Sequence, residues 1–178
     1  MKNFFLIFIL FFSFSINAGT IGSVTGLEIP RFVSLKSDKS NLRNGPSKKY
    51  PIKLRYINKN LPLKIIEEHG LWRKVVDFEN NEGWVKKSLI KADRYGIINA
   101  PYNEDVQIVN KPKGVVVGKI GNRNIVKIKT CLKKWCLIKI KKNKGWVTKS
   151  NLWGVFENEI FNVPFYQPII NQFWKLNL

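Results

Sequence analysis

The sequence predicts an all-β protein: two small antiparallel β barrels in tandem, with an N-terminal signal peptide and an irregular aromatic C-terminal tail. The first observation behind this is a repeat. Leu71-Trp72-Arg73-Lys74-Val75, an acidic Asn-rich turn, Gly83-Trp84-Val85 and Ser88-Leu89 return as Lys134-Trp135-Cys136-Leu137-Ile138, a Lys-Asn turn, Gly145-Trp146-Val147 and Ser150-Asn151-Leu152. A recurrence of that length marks one supersecondary unit present twice. The second observation is that the apolar runs are short, bounded by turns and free of a stripe at helical spacing. The third is the alternation in Ile125-Val126-Lys127-Ile128-Lys129 and Ile138-Lys139-Ile140-Lys141, which sets apolar residues on one face and lysine on the other.

At the N-terminus, Lys2 precedes an apolar run over residues 4–12, and a small residue, Ala18, stands before Gly19. This pattern predicts a signal peptide over residues 1–18, cleaved after Ala18, and therefore a periplasmic or secreted protein. An uncleaved membrane anchor is the alternative, disfavoured because the run is shorter than the about 20 residues a span requires. The chain carries 31 Lys plus Arg against 12 Asp plus Glu, a net charge of +19. Such a surface seeks or tolerates anions: wall polymer, lipid head groups or an acidic protein. Export makes nucleic acid the least favoured of the anionic partners. The bland alternative is that the lysines only keep a small β protein in solution.

Residues 19–31 are rich in Gly, Ser and Thr and read as a flexible lead-in. The first unit spans 32–92. Its Asn-Gly-Pro sequence at 44–46 must turn, because Gly accepts positive φ and Pro fixes the next residue. The second unit spans 97–155, after a boundary around residues 92–96. The tail, 156–178, holds Phe156, Phe161, Phe165, Tyr166, Phe173 and Trp174. It is expected to wrap back over a barrel and cover an edge, with a partner-binding or membrane-touching tail as the alternative.

Cys131 and Cys136 are the only cysteines. An even count in an exported chain predicts a disulfide, and the short loop it closes contributes about 2 kcal/mol by chain entropy. Superposing Trp72 on Trp135 places Glu68 at the position of Cys131 and Arg73 at that of Cys136. One cross-strand position is thus expected to hold an exposed ion pair in the first unit, worth about 0 to 1 kcal/mol, and a covalent bridge in the second.

Asn41-Leu42-Arg43-x-Gly45-Pro46-Ser47, Tyr50-Pro51-Ile52, Leu61-Pro62-Leu63, Trp72-Arg73-Lys74-Val75, Gly83-Trp84-Val85 and Ser88-Leu89 resemble the bacterial SH3-like (SH3b) domain. More closely, the chain is similar to small exported proteobacterial proteins with two such units. Their second copy shows Cys-x-x-x-Trp-Cys and ends in Leu-Trp-Gly, here Cys131 to Cys136 and Leu152-Trp153-Gly154. The resemblance covers about residues 32–155 and implies two SH3-like β barrels with a binding role, directed at peptidoglycan or at peptides. The second unit departs from it, having Ile108-Val109-Asn110-Lys111-Pro112 where the Asn-Leu-Arg-x-Gly-Pro-Ser element belongs.

For catalysis, a cysteine peptidase needs a free thiol and a histidine to deprotonate it. The sole histidine, His69, lies in a turn, both cysteines are expected to pair, and no zinc motif or paired carboxylates occur. The protein is therefore expected not to be an enzyme and to need no metal or cofactor. Trp72, Gly83, Trp84, Trp135, Gly145 and Trp146 read as scaffold. The candidate binding residues are Arg43 and Tyr50 in the first unit and the outer lysines Lys127, Lys129, Lys139 and Lys141 in the second, joined at the loop ends by Lys133, Lys134, Lys142 and Lys144. The expected function is docking on the cell envelope, with peptidoglycan or another anionic component as partner. A periplasmic protein-protein adaptor using SH3-like grooves or the aromatic tail is the alternative, and an anionic membrane-surface binder a further one.

Overall fold

The computed structural model describes residues 20–101 and 104–164. The expected signal segment and the last part of the tail lie outside the described residues. A small hairpin of β1 (Thr20–Ile21) and β2 (Glu28–Ile29) leads into the first sheet: β3 (Arg31–Leu35), β4 (Ser40–Arg43), β5 (Ile52–Tyr56), β6 (Pro62–His69), β7 (Trp72–Val76), β8 (Glu82–Lys86) and β9 (Ile90–Lys91). The second sheet comprises β10 (Tyr95–Ile98), β11 (Val106–Val109), β12 (Val116–Ile120), β13 (Ile125–Cys131), β14 (Trp135–Ile140), β15 (Asn143–Thr148) and β16 (Leu152–Trp153). A single 3-10 turn precedes the last strand of each, at Lys87–Leu89 and Lys149–Asn151.

All pairings are antiparallel, in the order β5-β4-β8-β7-β6-β3-β9 and then β12-β11-β15-β14-β13-β10-β16. The two orders match strand for strand, so the sequence repeat is a repeat of topology. Among the described residues no pairing joins the ends of either ladder, and each unit is an open sheet rather than the closed barrel expected. Register shifts fall at equivalent places, between Leu42 and Arg43 and between Ile65 and Glu67 in the first unit, between Ile108 and Val109 and between Ile128 and Thr130 in the second. Such bulges bend a strand and raise its twist, which lets seven short strands wrap one core. Leu35, Leu42, Leu63, Ile65, Val75 and Val85 fill the first core. Ile98, Val126, Ile128, Ile138, Val147 and Leu152 fill the second.

The Gly-Trp-Val element recurs for a packing reason. A Cβ on Gly83 would lie 2.7 Å from both the Arg43 carbonyl oxygen and Leu42 Cγ, and one on Gly145 would lie 2.2 Å from Ile108 Cγ2. β8 and β15 thus approach β4 and β11 too closely for any side chain. The bridges Arg43↔Trp84 and Val109↔Trp146 form right beside these glycines. Trp84 and Trp146 are buried, and Val85 and Val147 enter the cores.

Glu68 faces Arg73 across β6 and β7, and Cys131 faces Cys136 across β13 and β14, as the offset predicts. Glu68 Oε1 lies 3.3 Å from Arg73 Nε. The pair differs from expectation in being buried, with no solvent access to the Glu68 side chain. The cause is the lead-in, which over residues 20–29 is folded rather than flexible. Val24 and Thr25 amides donate to Glu68 Oε2 at 3.0 and 2.8 Å. The Thr25 hydroxyl and Arg31 Nη2 donate to Oε1 at 2.7 and 2.6 Å. Burial alone would push the carboxyl pKa up; the hydrogen bonds from Arg31, Thr25 and Val24 outweigh it and hold the value down at about 2.

In the second unit Cys131 and Cys136 form the expected disulfide. The described part of the tail covers it: Cys131 and Phe161 exchange backbone hydrogen bonds of 3.1 and 3.2 Å. The two units abut, with only residues 92–94 between β9 and β10. Phe32 packs against Trp153 at 5.2 Å and Phe156 at 4.8 Å, and Phe78 meets Trp153 at 5.9 Å. Arg94 stacks over Phe32 and pairs with Glu159 from the tail.

Gly83→Ala and Gly145→Ala should each destabilise the fold by about 1 to 3 kcal/mol through overpacking. Urea midpoints at constant m value measure this. Glu68 has a lower pKa folded than unfolded, so it stabilises the fold above about pH 4.5 and loses that contribution as pH falls toward 2. A Glu68→Gln variant should be less stable at pH 7, and its thermal midpoint should depend less on pH across that window.

Candidate ligand-binding groove

Trp135 opens β14 directly after Lys133 and Lys134, and it stands opposite Thr148 of β15. Its indole packs against Leu132, Val109 and Trp146 and is only half-buried. A groove of about 640 Å³ lies against it, lined also by Lys113, Lys133, Lys134, Val155 and Phe156. Trp135 also borders a second hollow of about 400 Å³, whose lining includes Glu104 and Asp105. Trp135 is thus shared by two hollows, one lined by Lys113, Lys133, Lys134, Lys149 and Glu157, the other with Glu104 and Asp105 in its lining.

The wall of the groove nearest the tail is held by Lys149. Its ammonium donates to the carbonyl oxygens of Glu157 and Glu159 at 2.8 and 2.6 Å. Burial lowers its pKa, opposed by the nearby Glu159 and Glu157 carboxylates. The Glu159 carboxyl is raised by burial but is held below the usual range by the Arg94 guanidinium and the Phe156 amide. Lys113, Lys133 and Lys134 make no ion pair within 4.0 Å among the described residues, and they face the groove as bare cations. Such a surface can hold a flat apolar ring with an attached anionic group.

The residues singled out from sequence separate into three places. Arg43 and Tyr50 come together: the guanidinium donates to the carbonyls of Lys48 and Tyr50 at 3.1 and 2.7 Å, and the tyrosine ring covers Gly45. Tyr50 remains 47% exposed. Lys127 and Lys139 are cross-strand partners, and Lys139 also faces Lys144. Asp93, from the junction between the units, lies 4.0 Å from Lys127, and Lys91, Lys127 and Lys129 depress its pKa, the Lys91 hydrogen bond most strongly. Lys141 occupies the β14–β15 turn with a positive φ of 52°. None of these four lysines lines the Trp135 groove. Lys133 and Lys134 line it instead, while Lys142 and Lys144 line a separate cleft at the other end of the hairpin. Reading Trp135 as pure scaffold passed over the groove; the adjoining Lys133-Lys134 pair was the available signal.

A model of the bacterial SH3 domain matches residues 36–91 and again 111–154. The chain belongs to the bacterial SH3 domain family. Its two SH3 units carry the matches separately, one on each sheet. Among solved structures, NlpC2 from Trichomonas vaginalis is similar over 75% of this chain and 51% of that one, at 10% identity and a TM-score of 0.32. An NlpC/P60 family protein from Bacillus cereus ATCC 10987 is similar over 79% and 61%, at 10% identity and a TM-score of 0.31. NlpC1 from Trichomonas vaginalis is similar over 74% and 48%, at 12% identity and a TM-score of 0.29. The chain spans about half to three-fifths of those structures, and likeness at this level bears on no activity. No curated protein sequence matches.

Replacing Lys149 by Met should release the segment at 156–161 while leaving both sheets folded. Hydrogen exchange should then quicken at Glu159 and Phe161 without a comparable change in β14.

Proposed function

We propose that this protein binds the bacterial cell envelope from outside the cytoplasm, without catalysis, and that peptidoglycan is its ligand. The observation that carries the reading is the Trp135 groove with its bare Lys113, Lys133 and Lys134. Peptidoglycan offers the matching chemistry: sugar rings for the indole face, and stem-peptide carboxylates for the lysines. The carboxylates of Glu104 and Asp105 in the second hollow beside Trp135 suit an amino group on the same stem. Family membership supports the reading at the level of wall binding, which is what the bacterial SH3 resemblance implies. The absence of catalysis is supported by the fate of the reactive groups. Both cysteines are in the disulfide, and His69 packs edge-on against Trp84 at 6.3 Å, so no thiol and imidazole are placed to activate one another.

Sedimentation with purified sacculi tests this. The wild-type protein should pellet with the wall at physiological salt and more completely at low salt. A Lys133→Glu/Lys134→Glu variant should bind on the order of tenfold more weakly, since two reversed contacts of about 0.5 to 1 kcal/mol each are lost. No pelleting at either salt concentration ends the proposal.

A further inference from the structure

A further opening lies at the far end of the same hairpin, about 17 Å along β14 from the Trp135 groove at 3.3 Å per residue. It is a cleft of about 820 Å³, and its lining includes Ile108, Gly118, Ile120 and Ile140. The two units explain how it arises. In the first, Leu54 of β5 stands opposite Leu42 and packs onto the core, leaving Leu42 fully buried. In the second, the equivalent position opposite Ile108 is Gly118, where a Cβ would meet nothing within 4 Å. A missing leucine side chain has thus opened the cleft over an aliphatic floor.

The charge at its mouth is reversed as well. The β7–β8 turn of the first unit is acidic; Glu79 and Glu82 are matched by Arg123 and Lys74, and Asp77 accepts hydrogen bonds from Tyr56 and from the Glu79 and Asn81 amides. The β14–β15 turn of the second unit brings Lys142 and Lys144 to the cleft, joined by Lys119 from β12. None of the three makes an ion pair within 4.0 Å among the described residues, and the cleft has no acidic residue in its lining. β12 is also the end of its ladder, with β11 on one side and no strand on the other among the described residues. Val116 and Val117 on this edge are 49% and 57% exposed. A free edge offers unpaired backbone donors and acceptors to an incoming strand.

We propose that the β12 edge and the Gly118 cleft form a docking site for an acidic, extended segment of a partner protein, which adds as a strand. Its alternate aliphatic side chains enter the gap left at Gly118, and its carboxylates meet Lys119, Lys142 and Lys144. The site is separate from the Trp135 groove and does not depend on wall binding.

The test uses the full chain and a synthetic hexapeptide of alternating Glu and Val, followed by calorimetry and by amide hydrogen exchange. The peptide should bind at low salt and slow exchange within β12, and an alternating Lys and Val peptide should not bind. Gly118→Leu refills the cleft as Leu54 does in the first unit. It should weaken binding at least tenfold with no fall in thermal midpoint, and Lys142→Glu/Lys144→Glu should weaken it similarly. Absence of peptide binding, unchanged binding by the Gly118→Leu variant, or slowed exchange only outside β12 overturns the proposal. So does slowing of β12 by anionic phospholipid vesicles but not by the peptide, which would make the edge a lipid-facing surface.

Discussion

The side chain at the end of the longest strand in each unit decides how that end of the sheet is closed. In the first unit it is Glu68, and in the second it is Cys131, at the same place on β6 and β13. Both are buried, yet the chemistry that permits burial differs. A carboxylate can leave water only if its lone pairs are met, and Glu68 draws amides, a hydroxyl and two guanidinium groups onto itself. Cys131 meets the need with a covalent bond and leaves only its backbone to be paired, which Phe161 does. The two ends of the described chain are therefore covers: residues 20–29 over the first unit and 156–161 over the second. The ionic closure is sensitive to acid, and the covalent one holds only where thiols stay oxidised.

The repeat, the strand-rich character and the opposition of Glu68 to Arg73 were legible because they depend on local pattern and on counting. Burial of that pair was not, since Thr25 and the Val24 amide acquire a partner only through an acceptor more than forty residues away. The lead-in therefore looked like an ordinary Gly- and Ser-rich linker. The lysine face shows the same limit. Alternation put Lys127, Lys129, Lys139 and Lys141 on one outer face, but Lys141 falls in the β14–β15 turn, and Asp93 beside Lys127 comes from the junction between the units, outside the strands that were counted. Closure of the barrel was overestimated because alternation along a strand says which face is buried and nothing about whether the first and last strands meet.

Small local changes separate two units of identical topology. Leu54 becomes Gly118, and the compensated carboxylates of one hairpin turn become unpaired lysines in the other. Neither change touches the core residues that define the sheet, so both are free to vary without cost to the topology. The junction adds a constraint of its own. Phe32 and Phe78 of the first unit close on Trp153 of the second, and Arg94 lies between Phe32 and the tail. This contact holds the units side by side.

Like charges concentrated at both ends of one hairpin repel over a screening length of about 10 Å at 0.1 M salt. In the first unit Glu79 and Glu82 each have a cation within 4.0 Å and Asp77 accepts hydrogen bonds instead, so that cost is already offset inside the protein. In the second it is not, and only salt or a bound anion can offset it. A ligand that binds the native hairpin but not the unfolded chain stabilises the fold in proportion to its occupancy. The uncompensated lysines therefore couple the stability of the second unit to the anions around it.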